Sequence, residues 1–289
     1  MIPAEAAISR VRRDLTLSTV LKGLIIGIGI ATFLMRGAMG WSHLLVLAML
    51  GVAWIVLSYR SAMGSRLAVD SQSLIAAGRY EAAEEQIEQV LGTFSLFRTS
   101  KLIGIHQLAV LRHAQKRWGD AAVLCRALLG RRLGPVKGVS KQCRLMLADA
   151  MLELDDPRAA HEALNGLYQQ RLTLAEAINL VAVQADFHAR AENWAELAAG
   201  IETKVQLAEL MPSQQSARTQ ALLALAAKKT GRHDWATWLT RRAELLADVQ
   251  ELSTRRPILW ELWRVEPGAS PPSTSSSAER RGDVSSENL

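Results

Sequence analysis

Cysteine, aromatic side chains and catalytic motifs are all scarce in this chain, and each scarcity removes a class of protein. Cys125 and Cys143 are its two cysteines, eighteen positions apart in 289. They read as small buried apolar side chains in a reducing compartment, ahead of a disulfide or a metal pair. Aromatic residues make up 5% of the chain, while Ala and Leu dominate a hydrophobic fraction of 49%. That balance favours helix. A net charge of +6, dispersed along the chain, leaves no electrostatic footprint for nucleic acid. No nucleophile elbow, phosphate loop, dinucleotide fingerprint or metal-ligand spacing occurs, so no enzyme activity, cofactor, metal or small-molecule substrate is expected. His106 and His113, seven apart, share a helical face but have no carboxylate beside them in sequence. They read as packed or groove-lining side chains rather than ligands.

What the chain does have, first, is apolar length. Residues 15–35 run almost without charge except for Lys22, and residues 41–59 are apolar apart from Ser42, His43 and Ser58. Each run supplies about 20 residues, enough helix to cross roughly 30 Å of hydrocarbon. Gly23, Gly27 and Gly29, with Ala48 and Gly51 opposite, would let two such helices approach closely. Trp41 and Tyr59 bracket the second run, as amphipathic aromatics do at interface depth. The expectation is a two-helix transmembrane hairpin behind a basic N-terminus, residues 1–14. A signal peptide cleaved after Gly40 is the competing reading of the first run. Arg10, Arg12, Arg13 and Lys22 precede or enter the first span, Arg60 and Arg66 follow the second, and Arg36 lies between them. This bias places both ends in the cytoplasm of a multi-pass cell (inner) membrane protein.

Second, the chain repeats itself. Ala83, Ala121, Ala160, Leu197 and Ala236 follow one another at steps of 38, 39, 37 and 39 residues. Ala109, Ala148, Ala185 and Ala224 lie twelve places upstream of the last four and keep the same steps. Two series in phase at this period indicate stacked helix pairs. Small residues on both helices of a pair permit a close crossing, and Tyr80, Trp118 and Trp194 stand where the second helix begins. Boundary signals fall at the junctions this register requires: Asp156-Pro157, the Thr173/Glu176 capping box, Asn193 with Glu196, and Pro212-Ser213. In the fifth unit the alternative is Trp235 as the turn aromatic, which would move the anchor to Trp238. The basic loop residues Arg131, Arg132, Lys137 and Lys141 read as a solvated loop ahead of a contact with anionic lipid or an acidic partner.

This pattern resembles the tetratricopeptide repeat over residues 64 to 252. Gly78, Tyr80 and Ala83 carry the likeness in the first unit, Ala109, Trp118 and Ala121 in the second, and Ala148 and Ala160 in the third. Ala185 and Trp194 carry it in the fourth, and Ala224, Gly231 and Ala236 in the fifth. The departures are a period about four residues above the family's 34, leucine at position 197 and mostly missing terminal prolines. The resemblance implies a solenoid of five helix pairs over residues 61–254, whose first helices line a concave, protein-binding groove. The inward positions it implies are His106, Val110 and His113; Leu145, Asp149 and Glu153; Asp186 and Arg190; and Lys228 and Lys229. That surface would be acidic in the middle and basic towards its C-terminal end.

Residues 255–267 read as a helix capping the open end of the array, with an interfacial or partner-binding helix as the alternative. Residues 268–289 are Ser/Pro-rich, hold almost nothing apolar and are expected to be disordered. The sequence therefore predicts an all-α protein that is a membrane-anchored protein-interaction scaffold. The second reading is an accessory subunit held in a membrane complex through the hairpin.

Overall fold

The computed structural model describes residues 2–34, 42–95, 97–131 and 137–264. Among them the regular structure is entirely helical: α1 (Ala4–Leu34), α2 (Ser42–Ala76), α3 (Tyr80–Gly92), α4 (Arg98–Ala114) and α5 (Trp118–Leu129) come first. Then follow α6 (Lys137–Glu153), α7 (Pro157–Tyr168), α8 (Leu174–Arg190), α9 (Trp194–Ala198), α10 (Ile201–Glu209), α11 (Ser213–Lys229) and α12 (His233–Leu246). The chain ends in α13 (Val249–Arg255), a 3-10 turn (Pro257–Leu259) and α14 (Trp260–Trp263). The expected hairpin turn at residues 35–41 and the Ser/Pro-rich tail lie outside the described residues.

One turn is used five times. Gly78, Lys116, Asp155, Glu192 and Gly231 all have φ between 53° and 75°, and each stands five places before an anchor of the repeat. Each closes the preceding helix with the same two backbone bonds. At the second turn, Lys116 N–H donates to His113 O at 3.0 Å and Arg117 N–H to Arg112 O at 2.8 Å; at the fifth, Gly231 N–H donates to Lys228 O and Arg232 N–H to Ala227 O. This left-handed closure satisfies carbonyls that the helix end would leave orphaned. The next helix starts two residues later, so Tyr80, Trp118, Pro157, Trp194 and His233 are all first residues of the second helix of a pair. Gly231 in the left-handed position places the fifth anchor at Ala236, which is buried, whereas Trp238 is exposed.

The anchors sit where helices cross. Ala83, Ala121 and Ala160, with Ala109, Ala148 and Ala224, are fully buried, and Leu197 and Ala185 nearly so. The apolar core runs from α1 through α8 as one cluster and from α8 through the C-terminal turn as another. Cys125 and Cys143 belong to the first, both as free thiols. The hydrogen bond with the neighbouring Cys125 side chain, and then burial, raise the Cys143 thiol far above its usual range, so it stays protonated. In the fourth unit, where leucine replaces alanine, the second helix is not continuous. Ala199 is extended, Gly200 is left-handed at φ 61°, and α10 begins anew. Lys204 reaches back to donate to Glu196 O at 2.7 Å and Leu197 O at 2.9 Å, closing the interrupted end of α9. Burial lowers the pKa of this lysine, against the pull of Glu196.

The caps at Asp156, Thr173 and Asn193 are formed as the sequence indicates: Asp156 accepts from Ala159 N–H, Thr173 completes its capping box with Glu176, and Asn193 accepts from Glu196 N–H. At α11 the cap differs. Pro212 holds the N-cap position without a side-chain bond and Ser213 is already helical. The N-terminus differs more. Residues 4–14 are helix, not a free basic segment, and Ala4, Ala7 and Val11 are buried in the first core cluster. Two fully buried cations on α4 hold them there. Lys101 pairs with Asp14 Oδ2 at 2.7 Å and also donates to Leu91 O and Thr93 O at the end of α3. Arg112 donates to Ile2 O at 3.0 Å, Glu84 Oε1 at 2.7 Å and Gln115 Oε1 at 2.8 Å. The Arg112 hydrogen bond holds the Glu84 carboxyl below its ordinary pKa, against the effect of burial.

Beyond this docked segment α1 is exposed and apolar, with Leu24, Ile26 and Ile30 each more than half accessible. Among the described residues it is the one helix, over Ala4–Thr32, long and apolar enough to cross a membrane. α2 carries Val52, Ile55 and Val56 exposed in its first half and then becomes the first helix of unit one, without a break, over 35 residues. The glycines expected to join the two runs do not do so: a Cβ added at Gly23, Gly27, Gly29 or Gly51 would meet nothing within 4 Å.

The turns provide a direct check. A left-handed conformation costs a residue with a Cβ about 1 kcal/mol relative to glycine. Glu192→Gly should therefore raise the melting temperature of the full chain, and Gly231→Ala should lower it. The same sign for both would show that the shared turn does not govern these junctions.

Candidate functional site

The first helices of the pairs line a concave face. A cavity of about 690 Å³ opens there, walled by Val110 and His113 of α4, Gln142, Leu145, Met146 and Asp149 of α6, and Asn179 and Val183 of α8. Gln214, Gln215 and Arg218 of α11 complete that side. The remaining wall was not expected from the repeat. Glu251, Leu252, Arg255 and Arg256, from α13 and the residue after it, turn back onto the concave face.

Arg256 organises the centre of this face. Its Nε donates to Asp186 Oδ1 at 3.1 Å, its Nη2 lies 3.3 Å from Asp186 Oδ2, and Nη2 also meets Glu153. Arg218 Nη2 approaches the same Asp186 Oδ2 at 3.3 Å, and Arg190 Nη2 reaches Glu153 Oε1 at 3.3 Å. Burial works against the Arg256 charge, but Asp186 and then Glu153 overcome it and raise the guanidinium's pKa. One turn further out, His113 Nε2 lies 2.9 Å from Asp149 Oδ2. Burial pushes the Asp149 carboxyl up, yet the His113 hydrogen bond and the more distant arginines leave it below its ordinary value.

The ten residues expected to face a partner are thus distributed differently from the expectation. Val110, His113, Leu145, Asp149 and Glu153 do line the cavity. Leu145 is nevertheless largely buried, at 6% exposure, and His106 is in the interior at 5%. Asp186 is buried at 1% and neutralised by Arg218 and Arg256. Arg190 is paired with Glu153 and also donates to Leu152 O. Lys228 and Lys229 are not free groove cations: Lys228 donates to Glu261 O at 3.1 Å and Lys229 pairs with Glu261 Oε2 at 2.5 Å. The basic end of the expected charge gradient is consumed by the chain's own C-terminal segment. Of residues 255–267, expected as one capping helix, 265–267 lie outside the described residues; Arg255 ends α13, and after Arg256 come the 3-10 turn and α14, with Leu259 fully buried as the plug and Trp263 Nε1 donating to Glu244 Oε1 at 2.8 Å.

Repeat spacing could not announce Arg218 or Arg256, because neither occupies a repeat anchor. The one available signal was an arginine pair, Arg255-Arg256, directly after the last amphipathic turn. No protein-family model, curated protein or solved structure matches the chain. Among the described residues no group of three or more His, Cys, Asp or Glu could hold a metal.

Two outcomes test this arrangement. Arg256→Ala leaves Asp186 buried with a weaker partner set and should cost about 3 kcal/mol of stability in denaturant melts of the full chain. A cost within error of zero would mean the C-terminal segment only rests on the concave face. The second concerns pH. Burial pushes the His106 pKa down to about 4 from an ordinary 6.5, and burial also lowers that of His188. Above pH 6.5 both states are neutral; between 6.5 and 4 the unfolded chain takes up protons that the folded chain refuses, so stability falls with pH. The melting temperature of the full chain should drop between pH 7 and 5, and the drop should be smaller in His106→Leu.

Proposed function

We propose that this chain is a membrane-anchored scaffold of tetratricopeptide-repeat type that holds a segment of another protein in its concave cavity. In this reading residues 15–35 and 41–59 form a hairpin in the cell (inner) membrane, with the N-terminus and repeats in the cytoplasm. The single observation that carries it is the union, in one helix, of an exposed apolar half and the first helix of the repeat array. An anchor built this way keeps the cavity beside the bilayer.

The cavity's chemistry supports a peptide occupant. Gln142, Asn179, Gln214 and Gln215 offer four carboxamides, each a donor and an acceptor, above an apolar floor of Val110, Leu145 and Val183. Such a lining suits the alternating N–H and C=O groups of an extended chain, and apart from Lys116 the charges around it are already paired internally. Affinity should therefore depend little on salt.

A second reading is favoured by the glycines of α1. Gly23 and Gly27, four apart, face open space, which leaves them able to accept another membrane helix at close range. The chain would then be an accessory subunit, with the repeats as a brace.

One experiment separates the two. Full-length chain, purified from membranes in mild detergent with its partners, is compared with Asn179→Ala/Gln214→Ala and with Gly23→Leu/Gly27→Leu. The scaffold reading expects the cavity variant to lose a co-purifying protein by roughly tenfold, about 1.4 kcal/mol, with membrane insertion unchanged. Loss from the glycine variant alone would transfer the function to the membrane helices.

A further inference from the structure

The apolar halves of α1 and α2 leave the repeats at one end of the stack, and contacts on the page define that level. Ser100 Oγ, in the first turn of α4, donates to Ser61 O of α2 at 3.1 Å and lies 2.6 Å from Ser65 Oγ. Lys101 meets Asp14 of α1. The start of α4 is therefore level with residue 14 of α1 and residues 61–65 of α2, immediately below both apolar runs. Phe97, just before α4, is exposed at the same level.

Three guanidinium groups gather here. Arg12 and Arg131 line one cleft of about 400 Å³ with Leu15, Thr16, Thr19 and Val20. Arg98, the first residue of α4, lies near enough to Arg131 to repel it, as does Arg12. Burial is the larger influence on Arg131, and the two neighbouring arginines act in the same direction, so its pKa is lowered. Among the described residues none of the three forms an ion pair or side-chain hydrogen bond. This contrasts with Lys101 and Arg112, also on α4, each of which is paired with a carboxylate. Like charges held together without a counter-charge are unfavourable until an anion arrives. Guanidinium forks match phosphate oxygens in pairs. Leu15 and Val20 continue the cleft up the apolar length of α1, where a second component of the ligand must be hydrocarbon.

We infer that the cleft between α1 and the end of α5, where Arg12 and Arg131 meet beside Leu15 and Val20 with Arg98 at its edge, seats the phosphate of an anionic phospholipid. The arginines hold the headgroup and α1 holds the start of an acyl chain. This inference rests on the reading of α1 as a membrane span. Its consequence is a specific lipid tie at the boundary where the repeats meet the bilayer, in addition to the apolar anchor. Lipid phosphate and free phosphate share the same arginine chemistry; the apolar continuation of the cleft selects the lipid.

The test uses the full chain, expressed in membranes and transferred to detergent with phosphatidylglycerol or phosphatidylcholine. Bound lipid is read by native mass spectrometry, and retention in the membrane pellet under alkaline carbonate is read in parallel. Unmodified chain should retain one phosphatidylglycerol, discriminate against phosphatidylcholine, and keep its lipid in millimolar inorganic phosphate. Arg12→Gln/Arg98→Gln/Arg131→Gln should lower retained phosphatidylglycerol roughly tenfold or more, while staying in the pellet. Its melting temperature should hold or rise without added lipid, because repulsion is removed; a fall would show that the arginines are structural and overturn the proposal. Equal retention of both lipids, or of phosphatidylglycerol by the triple variant, would overturn the seat and leave the anchor standing. Displacement by inorganic phosphate would reassign the cleft to a free anion. Release of the unmodified chain by carbonate would sink the anchor and the seat together.

Discussion

The two buried cations of α4 are the constraint on which the rest of the molecule depends. Lys101 and Arg112 are fully enclosed, a condition that costs several kcal/mol per ion unless the charge is paired and its donors are used. The charges are paired, and all the donors but Arg112 Nε used, chiefly by groups from α1, the residue 2 carbonyl before it and α3: the Asp14 carboxylate, the Ile2 carbonyl, the Glu84 carboxylate and the carbonyls ending α3. Removing α1 would strand Lys101 without its counter-charge and uncover Ala4, Ala7 and Val11. The repeats are therefore not a module independent of the N-terminal helix. The helix that leads into the apolar run is a structural layer of the first units.

Much of the helical order was legible in the sequence because it rests on local chemistry. Small residues at the crossings, a cap at Asp156 or Thr173, and glycine at 78 and 231 each act within a few positions of where they stand. The turns at Lys116, Asp155 and Glu192 were invisible individually, since nothing about these side chains asks for a left-handed backbone. They adopt it because the helix before and the helix after are already placed. The break after Ala199 had a signal in Gly200 and in leucine at 197. The docking of residues 4–14 had none, because its partners lie about a hundred positions away.

The concave face shows the same limit. Family resemblance implies which positions point inward, and five of the ten do reach the cavity. It says nothing about occupation by the chain itself. Asp186 and Glu153 are inward acids answered by Arg256, seventy and 103 positions later respectively, and Lys228 and Lys229 are inward bases answered by Glu261. Most of the charge of this face has thus been used up in closing the array, and what remains open to a partner is carboxamide and apolar, with Lys116 beside it.

α2 has one further consequence. Its 35 residues run as a single helix from the apolar half into the repeat, roughly 50 Å at the usual rise. In the proposed membrane arrangement a rod of that kind has no joint at the bilayer surface. When a helix tilts to match the thickness of its membrane, the repeats stacked on its lower half must turn through the same angle. The mouth of the cavity, some distance from the axis, then sweeps a larger arc than the helix itself. Bilayer thickness and the bearing of the cavity are two readings of one rigid lever.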